Sequence, residues 1–266
     1  MYISRPAPDV VALTDAVPVP GIGFLPVNAY VLYAKEPVLI DTGLRASTPE
    51  FLEEVWSLVE PADLRWVCLT HPGHAESVLE ILEAAPDALL VTTFLGERLL
   101  SLERRIPPDR VFLLNPGEWL DVGDRRLKSF RLPVYDSPAT TGLFDELTGT
   151  YFSSDCFGAP MTTGDLVQSD DIGAVPSSDL VAGQRLWAAV DCPELVNVDR
   201  DAFLSRLALL SDLDPPVVLA SHLPSAHHKT ETLLDTLANA QDAPSYAGPG
   251  QAAFERMLHE MEPTRA

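Results

Sequence analysis

Residues 64–77 read LRWVCLTHPGHAES, and the architecture follows from them. Leu64 to Thr70 is a short, mostly apolar run bounded by turn residues, which predicts a buried strand rather than a helix. It ends on His71-Pro72-Gly73-His74, after which a helix is expected to about Ala85. A strand that runs into imidazoles and then a helix suits an open α/β sheet, where ligand sites form beyond the carboxyl ends of strands.

Working outward, VVAL (10–13), FLPVNAYVLYA (24–34) and PVLIDTG (37–43) read as strands, with a hairpin turn at Lys35-Glu36-Pro37. Phe51, Leu52, Val55, Trp56 and Val59 recur at helical spacing behind Ser47 or Thr48 as a cap. ALLVTT (88–93) predicts another strand, followed by a helix around 94–103. This alternation argues for an α/β layered fold. From 111 to 155 the pattern turns to strands joined by short turns, and 156–180, rich in Gly, Pro, Ser, Thr and Asp, reads as a long loop or lid. Helices are expected at 181–191 and 198–211, a last apolar strand at PPVVLASH (215–222), and helices at 229–240 and 249–262. The expectation is a single domain over 1–266, built of two αβ halves, about 1–130 and 131–266.

The 266 residues include 39 acidic and 18 basic side chains, a net charge of −21. With 46% hydrophobic residues the chain can bury a sizeable core. The acidic excess and the lack of any Lys/Arg run argue against nucleic acid or an anionic membrane as partner. No apolar run reaches the length of a membrane span. The three cysteines include no CxxC pair, and the first residues lack a basic head followed by an apolar stretch, so a cytoplasmic protein with reduced thiols is expected.

His71, His74 and His222 follow apolar strand runs, and carboxylates stand at comparable positions: Asp41 after VLI, Glu76 beyond His71, Asp136 after RLPVY and Asp155 after TYFSS. Imidazole mixed with carboxylate suits Zn, Fe or Mn rather than Ca or Mg. Each residue alone has a plainer reading, as a solvated histidine or a turn-capping aspartate; the joint placement favours a metal. Cys156 reads as a small buried residue, His227-His228 as solvated, and Ser153-Ser154 lacks the Gly-x-Ser-x-Gly context of a nucleophile elbow.

LIDTG (39–43), LTHPGHAES (69–77), PVYDSPATTGLFDELTGTYFSSDCFGA (133–159) and LASH (219–222) together resemble the metallo-β-lactamase superfamily, closest to its flavodiiron-like, oxygen-binding branch. The resemblance covers about residues 10–225 and implies a four-layer αββα sandwich. It places His71 on the first ligand of the family motif, Asp155 on the bridging carboxylate and His222 on the final histidine. Glu76 and Asp136 replace histidines, whereas Gly73 and Ala75 stand where ligands are expected and offer no donor. The resemblance implies one ion on His71, Asp136 and Asp155 and another on Glu76, Asp155 and His222, with His74 and Asp41 as additional candidates. Asp41 either orients a ligating histidine or caps a turn.

This implies a metalloprotein with a remodelled mono- or dinuclear site of Fe, Mn or Zn, acting as a metal-dependent hydrolase or a diiron oxidoreductase. Its reactant would be a small molecule or dioxygen. No flavin domain is recognised in the 266 residues, so electrons would come from a separate donor, and a homo-oligomer is compatible with the chain. The rival reading is a catalytically inactive member with a binding or regulatory role, motivated by Gly73 and Ala75.

Overall fold

Val38, Leu39 and Ile40 show how the layers arise. Successive strand side chains point to opposite faces; Val38 and Ile40 enter one apolar core and Leu39 another. The same division separates Trp66 and Cys68 from Val67, Val91 from Leu90, Phe152 from Tyr151, and Leu219 from Val218. Strands buried on both faces need a partner layer on each side, and these have one.

The computed structural model describes residues 1–261. One sheet follows chain order: β1 (Tyr2–Ala7), β2 (Val10–Val19), β3 (Gly23–Leu32), β4 (Val38–Ile40), β5 (Trp66–Cys68), β6 (Leu89–Thr92) and β7 (Val111–Leu113). Its first four strands are antiparallel. Those from β4 onward are parallel, linked by α1 (Thr48–Leu58), α2 (Val78–Ala84) and α3 (Phe94–Glu103). The second sheet comprises β8 (Trp119–Asp121), β9 (Arg126–Phe130), β10 (Gly142–Asp145), β11 (Thr150–Phe152), β12 (Val217–Leu219) and β13 (Ala226–His227), again as neighbours in that order. Its helical cover is α5 (Ser177–Asp191), α6 (Arg200–Leu213) and α7 (Thr230–Ala238), whereas α4 (Gly164–Val167) packs near β2 and β3 and α8 (Gln251–Met261) follows in the chain.

Three apolar cores separate four layers. Phe51, Val55, Val78, Ile81 and Leu100 pack the first three helices onto the first sheet. Tyr30, Ile40, Trp66, Leu127, Phe152 and Leu219 fill the space between the sheets, where the Tyr30 and Phe152 rings meet edge to face at 5.5 Å. Leu180, Ala188, Phe203, Leu207 and Leu233 pack helices onto the second sheet. This is the αββα order expected from the sequence.

Polar ties cross the seam between the sheets. Asn28 donates to the Ala220 and Leu223 carbonyls (2.8 and 2.7 Å), and the Tyr30 hydroxyl donates to Ala220 (2.7 Å), fixing the turn after β12. At the opposite end the buried Arg125 guanidinium meets Asp9, Asp124 and Asp145.

The structure differs from the sequence reading in four places. A strand at Tyr2–Ala7 precedes the first one expected, and it pairs on one side only. The second sheet begins at Trp119, ahead of a division near 130. The start of 156–180 is no lid: residues 156–161 are buried, with Met161 paired to Phe24, and α5 begins at Ser177. His227 is half-buried rather than free in solvent; its Nδ1 bonds the Asp171 carboxylate and its Nε2 the Pro6 carbonyl, both at 2.7 Å. The helix expected over 249–262 ends beyond the described residues. No helix among the described residues is long and apolar enough to cross a membrane.

Candidate metal centre

The strand ends of both sheets converge at one edge of the seam. Asp41 follows β4, His71 and His74 follow β5, Asp155 follows β11 and His222 follows β12. Asp136 comes from the loop between β9 and β10, and Asp191 is the last residue of α5.

Pro72–His74 forms a single 3₁₀ turn. Residues three apart eclipse in such a turn, so His74 returns beside His71, their ring centroids 5.1 Å apart. His71 Nδ1 accepts from the Gly73 N–H at 2.8 Å, which leaves Nε2 facing Asp136 Oδ1 at 3.1 Å. His74 sits deeper, with Nδ1 3.0 Å from Asp41 Oδ2 and Nε2 3.1 Å from Asp155 Oδ1. His222 donates from Nδ1 to the Pro26 carbonyl at 2.7 Å and turns Nε2 toward Asp155 Oδ1 at 3.0 Å.

Asp155 is the hub, and the backbone around it is strained. Ser154 and Phe157 hold φ of 50° and 72°, in the left-handed region that non-glycine residues avoid. Ser221 N–H donates to the Ser154 carbonyl, Ala159 N–H to His222 and the Trp187 indole to Asp155, which together hold this conformation. Trp187 also closes over the His222 ring, with centroids 4.8 Å apart. Asp155 is 4% exposed, yet no hydrogen bond reaches its Oδ1, despite the two imidazole nitrogens close by. The oxygen is held instead by ion-pair contacts with two imidazoles, at 3.1 and 3.0 Å, a donor arrangement that a metal ion can share.

The electrostatics agree with that geometry. Burial pushes the Asp155 carboxyl up, but His74 and His222 beside it outweigh this and hold it well below the usual carboxylate range. Burial disfavours the His74 cation, yet Asp155 and Asp41 raise its pKa well above the ordinary imidazole value. Asp136 is lowered, chiefly by its contact with His71. Asp191 is pushed up to about 8 by burial and by the Asp155 and Asp136 charges, with His74 opposing.

Of the residues singled out from sequence, His71, His74, Asp136, Asp155 and His222 come together, and Asp41 stands behind His74. The Asp41 carboxylate also accepts from Thr70 N–H and Oγ1 and from Ser221 Oγ, so it orients the imidazole. Glu76 lines the cavity beside the cluster, but its carboxylate meets Arg104 at 3.1 Å and joins neither group of converging donors among the described residues. Those groups are His71, His74 and Asp155, and Asp136, Asp155 and Asp191, in each of which the donor atoms lie within 4.8 Å of one another. Asp191 and Trp187 carry no signal in sequence, because a helix ending in Trp-Ala-Ala-Val-Asp looks like any amphipathic helix. Cys156 is buried, and burial pushes its thiol up, as expected of a packing residue.

A cavity of about 360 Å³ opens over His71, His74 and His222, with apolar walls from Val17, Leu25, Val27 and Leu44. The histidines and carboxylates fit a transition ion: one buried carboxylate oxygen lies against two imidazole nitrogens, and each of those rings is fixed through its other nitrogen.

Residues 22–90 match the metallo-beta-lactamase superfamily. A Thermosynechococcus vestitus protein bearing the name diflavin flavoprotein A 1 is 26% identical over 231 residues, covering 85% of this chain and 38% of its own length. The anaerobic nitric oxide reductase flavorubredoxin of Salmonella typhi is 25% identical over 134 residues, 49% of this chain and 28% of that protein. Rubredoxin oxygen:oxidoreductase from Desulfovibrio gigas superposes with a TM-score of 0.77 at 16% identity, over 91% of this chain and 62% of that one. The chain thus spans less than two thirds of each of these proteins.

Proposed function

From a chain with the metallo-β-lactamase fold that resembles the flavodiiron side of that superfamily, we propose a metal centre of redox type that handles dioxygen or a comparably small molecule. The observation that carries the reading is Asp155 Oδ1, buried and within 3.1 Å of both His74 Nε2 and His222 Nε2. His71, His74 and Asp155 would hold the ion, with His222 beside them; imidazoles plus carboxylate suit iron, manganese or zinc. Bound there, iron or manganese would supply an electron-transfer couple and an open position for a small ligand.

The chain's own residues prepare that position. Asp41 and the Pro26 carbonyl orient His74 and His222, and Trp187 covers one flank. The apolar walls around Leu25 and Leu44 suit an uncharged small molecule better than a charged polymer. The names of the Salmonella and Desulfovibrio proteins associate nitric oxide and oxygen chemistry with relatives of this fold.

A metal-free, regulatory alternative draws on one observation: His74 lies between two carboxylates, which could balance its charge without an ion. Elemental analysis of the purified protein decides between them. About one or two ions of iron, manganese or zinc per chain are expected, falling at least severalfold in Asp155→Asn. Less than about a tenth of an ion in the wild type, unchanged after reconstitution, would overturn the metal reading.

A further inference from the structure

The end of β9, the residues that follow it and one face of α6 enclose a second cavity, of about 380 Å³. On α6, Arg206, Leu209 and Leu210 fall at spacings of three and four and so share that face. The floor is apolar: Leu132 is fully buried, Leu210 nearly so, and the Phe130 ring is held edge to face by Phe144 and Tyr151, each 6.3 Å away. At the rim Leu209 is 70% exposed. Arg131 and Arg206 complete the lining and no carboxylate does, in a chain with 39 acidic and 18 basic side chains. Arg206 has neither an ion-pair nor a hydrogen-bond partner among the described residues. Arg131 gives its Nη1 to the Pro138 and Thr140 carbonyls and holds its guanidinium 5.5 Å from the centre of the Tyr135 ring. Those contacts fix the side chain and leave its Nε–Nη2 edge, whose two parallel N–H groups match the two oxygens of a carboxylate.

We propose that this cavity binds a small apolar monocarboxylate, its head on Arg131 and Arg206 and its body on the floor of Phe130, Leu132 and Leu210. None of the donors of the metal cluster lines it, so the site is independent of the metal reading. The charge pattern selects the sign of the ligand: at −21 the chain as a whole repels anions, and two arginines without a facing carboxylate reverse that locally. The lining selects the rest. An inorganic anion would meet the arginines but leave the floor and Leu209 wet, whereas an apolar alcohol or amine would cover the floor and leave the guanidinium edge unmet. The volume is near the lower end for ligand pockets, which suits a small molecule rather than a polymer segment.

The test titrates the full chain with octanoate, naphthoate, octanol, octylammonium and inorganic phosphate, read by calorimetry and by methyl NMR. At least one of the two carboxylates is expected to bind about tenfold or more tighter than octanol, octylammonium or phosphate, and to shift the methyl resonances of Leu132, Leu209 and Leu210. Arg206→Gln should weaken that binding about tenfold. This exposed arginine makes no bond to lose among the described residues, so the variant should melt with the wild type. Leu209→Ser, which trims the rim and touches no charge, should weaken the same carboxylate severalfold. Four results would each overturn the site and leave the metal reading standing: neither carboxylate binds, a control binds as tightly, Arg206→Gln binds unchanged, or the shifts fall on Leu25 and Leu44 over the metal cluster.

Discussion

Replacing Arg125 with methionine should loosen the two sheets from each other. The guanidinium is 6% exposed and reaches Asp9 in the turn after β1, its neighbour Asp124, and Asp145 at the end of β10, the last at 3.1 Å. Burial disfavours its charge, but the three carboxylates outweigh that and raise its pKa. Methionine keeps much of the volume and leaves Asp145 fully buried without its counter-charge. Removing one partner of a buried pair costs about 3–5 kcal/mol. Asp145 retains bonds from Leu147 N–H and Thr148 Oγ1, which places the expected loss near the lower end, about 3 kcal/mol. For a chain of this size that is a fall in Tm of roughly 6–12 °C. Guanidinium denaturation of Arg125→Met, Asp9→Asn and the double variant gives the coupling across the sheets directly, expected to exceed about 1 kcal/mol. A Tm loss below about 2 °C, or additive single effects, would refute the inter-sheet tie.

The His227–Asp171 pair gives a pH dependence. Burial lowers the His227 pKa, but the Pro6 carbonyl and Asp171 outweigh it, so it is raised above 6.5, while Asp171 is lowered below 3.8 against its own burial. The stabilisation is therefore complete between about pH 4 and 6.5, fades as pH rises through the folded histidine value, and fades again as pH falls through the folded aspartate value. An NMR titration of the His227 ring that gave a midpoint at or below 6.5 would contradict this. Gly158→Ala would set a methyl 2.5 Å from the Trp187 ring and 3.0 Å from His222 Cβ. It should cost about 1–3 kcal/mol and shift the Trp187 indole N–H resonance, and an unmoved resonance would count against the packing described. Saturating iron or zinc at about a hundred times Kd should stabilise the chain by about 2.7 kcal/mol, reversibly with chelator, and Asp155→Asn should abolish the gain. Identical denaturation midpoints with and without metal would rule out binding to the folded state.

The layer order was legible because alternation along Val38–Ile40, Trp66–Cys68 and Val217–Leu219 records which side chains face which core. β1 was not: Tyr2, Ser4 and Pro6 mix with apolar neighbours, and an edge strand is specified by pairing with β2 more than by its own pattern. At the centre, His71, Asp136, Asp155 and His222 stood out because each follows a strand run or its turn. The position of His74 depended on a 3₁₀ turn, whose eclipsing of residues three apart no motif spacing expresses. Glu76 is adjacent in sequence but lies past that turn, where Arg104 takes it. Asp191 joins the cluster only because α5 packs on the second sheet, a contact absent from any local pattern.

Asp41, His71 and His74 come from the first sheet, and Asp136, Asp155, Asp191 and His222 from the second sheet and its helices. Neither half carries the centre alone, so the full donor set does not exist until the two have docked. During synthesis the nascent first half could offer an ion only His71, His74 and the Asp41 carboxylate behind them, a poor trap for stray metal. The rate at which a refolding sample takes up its full metal complement would therefore report the closing of the seam, making the ion a clock for the last step of folding.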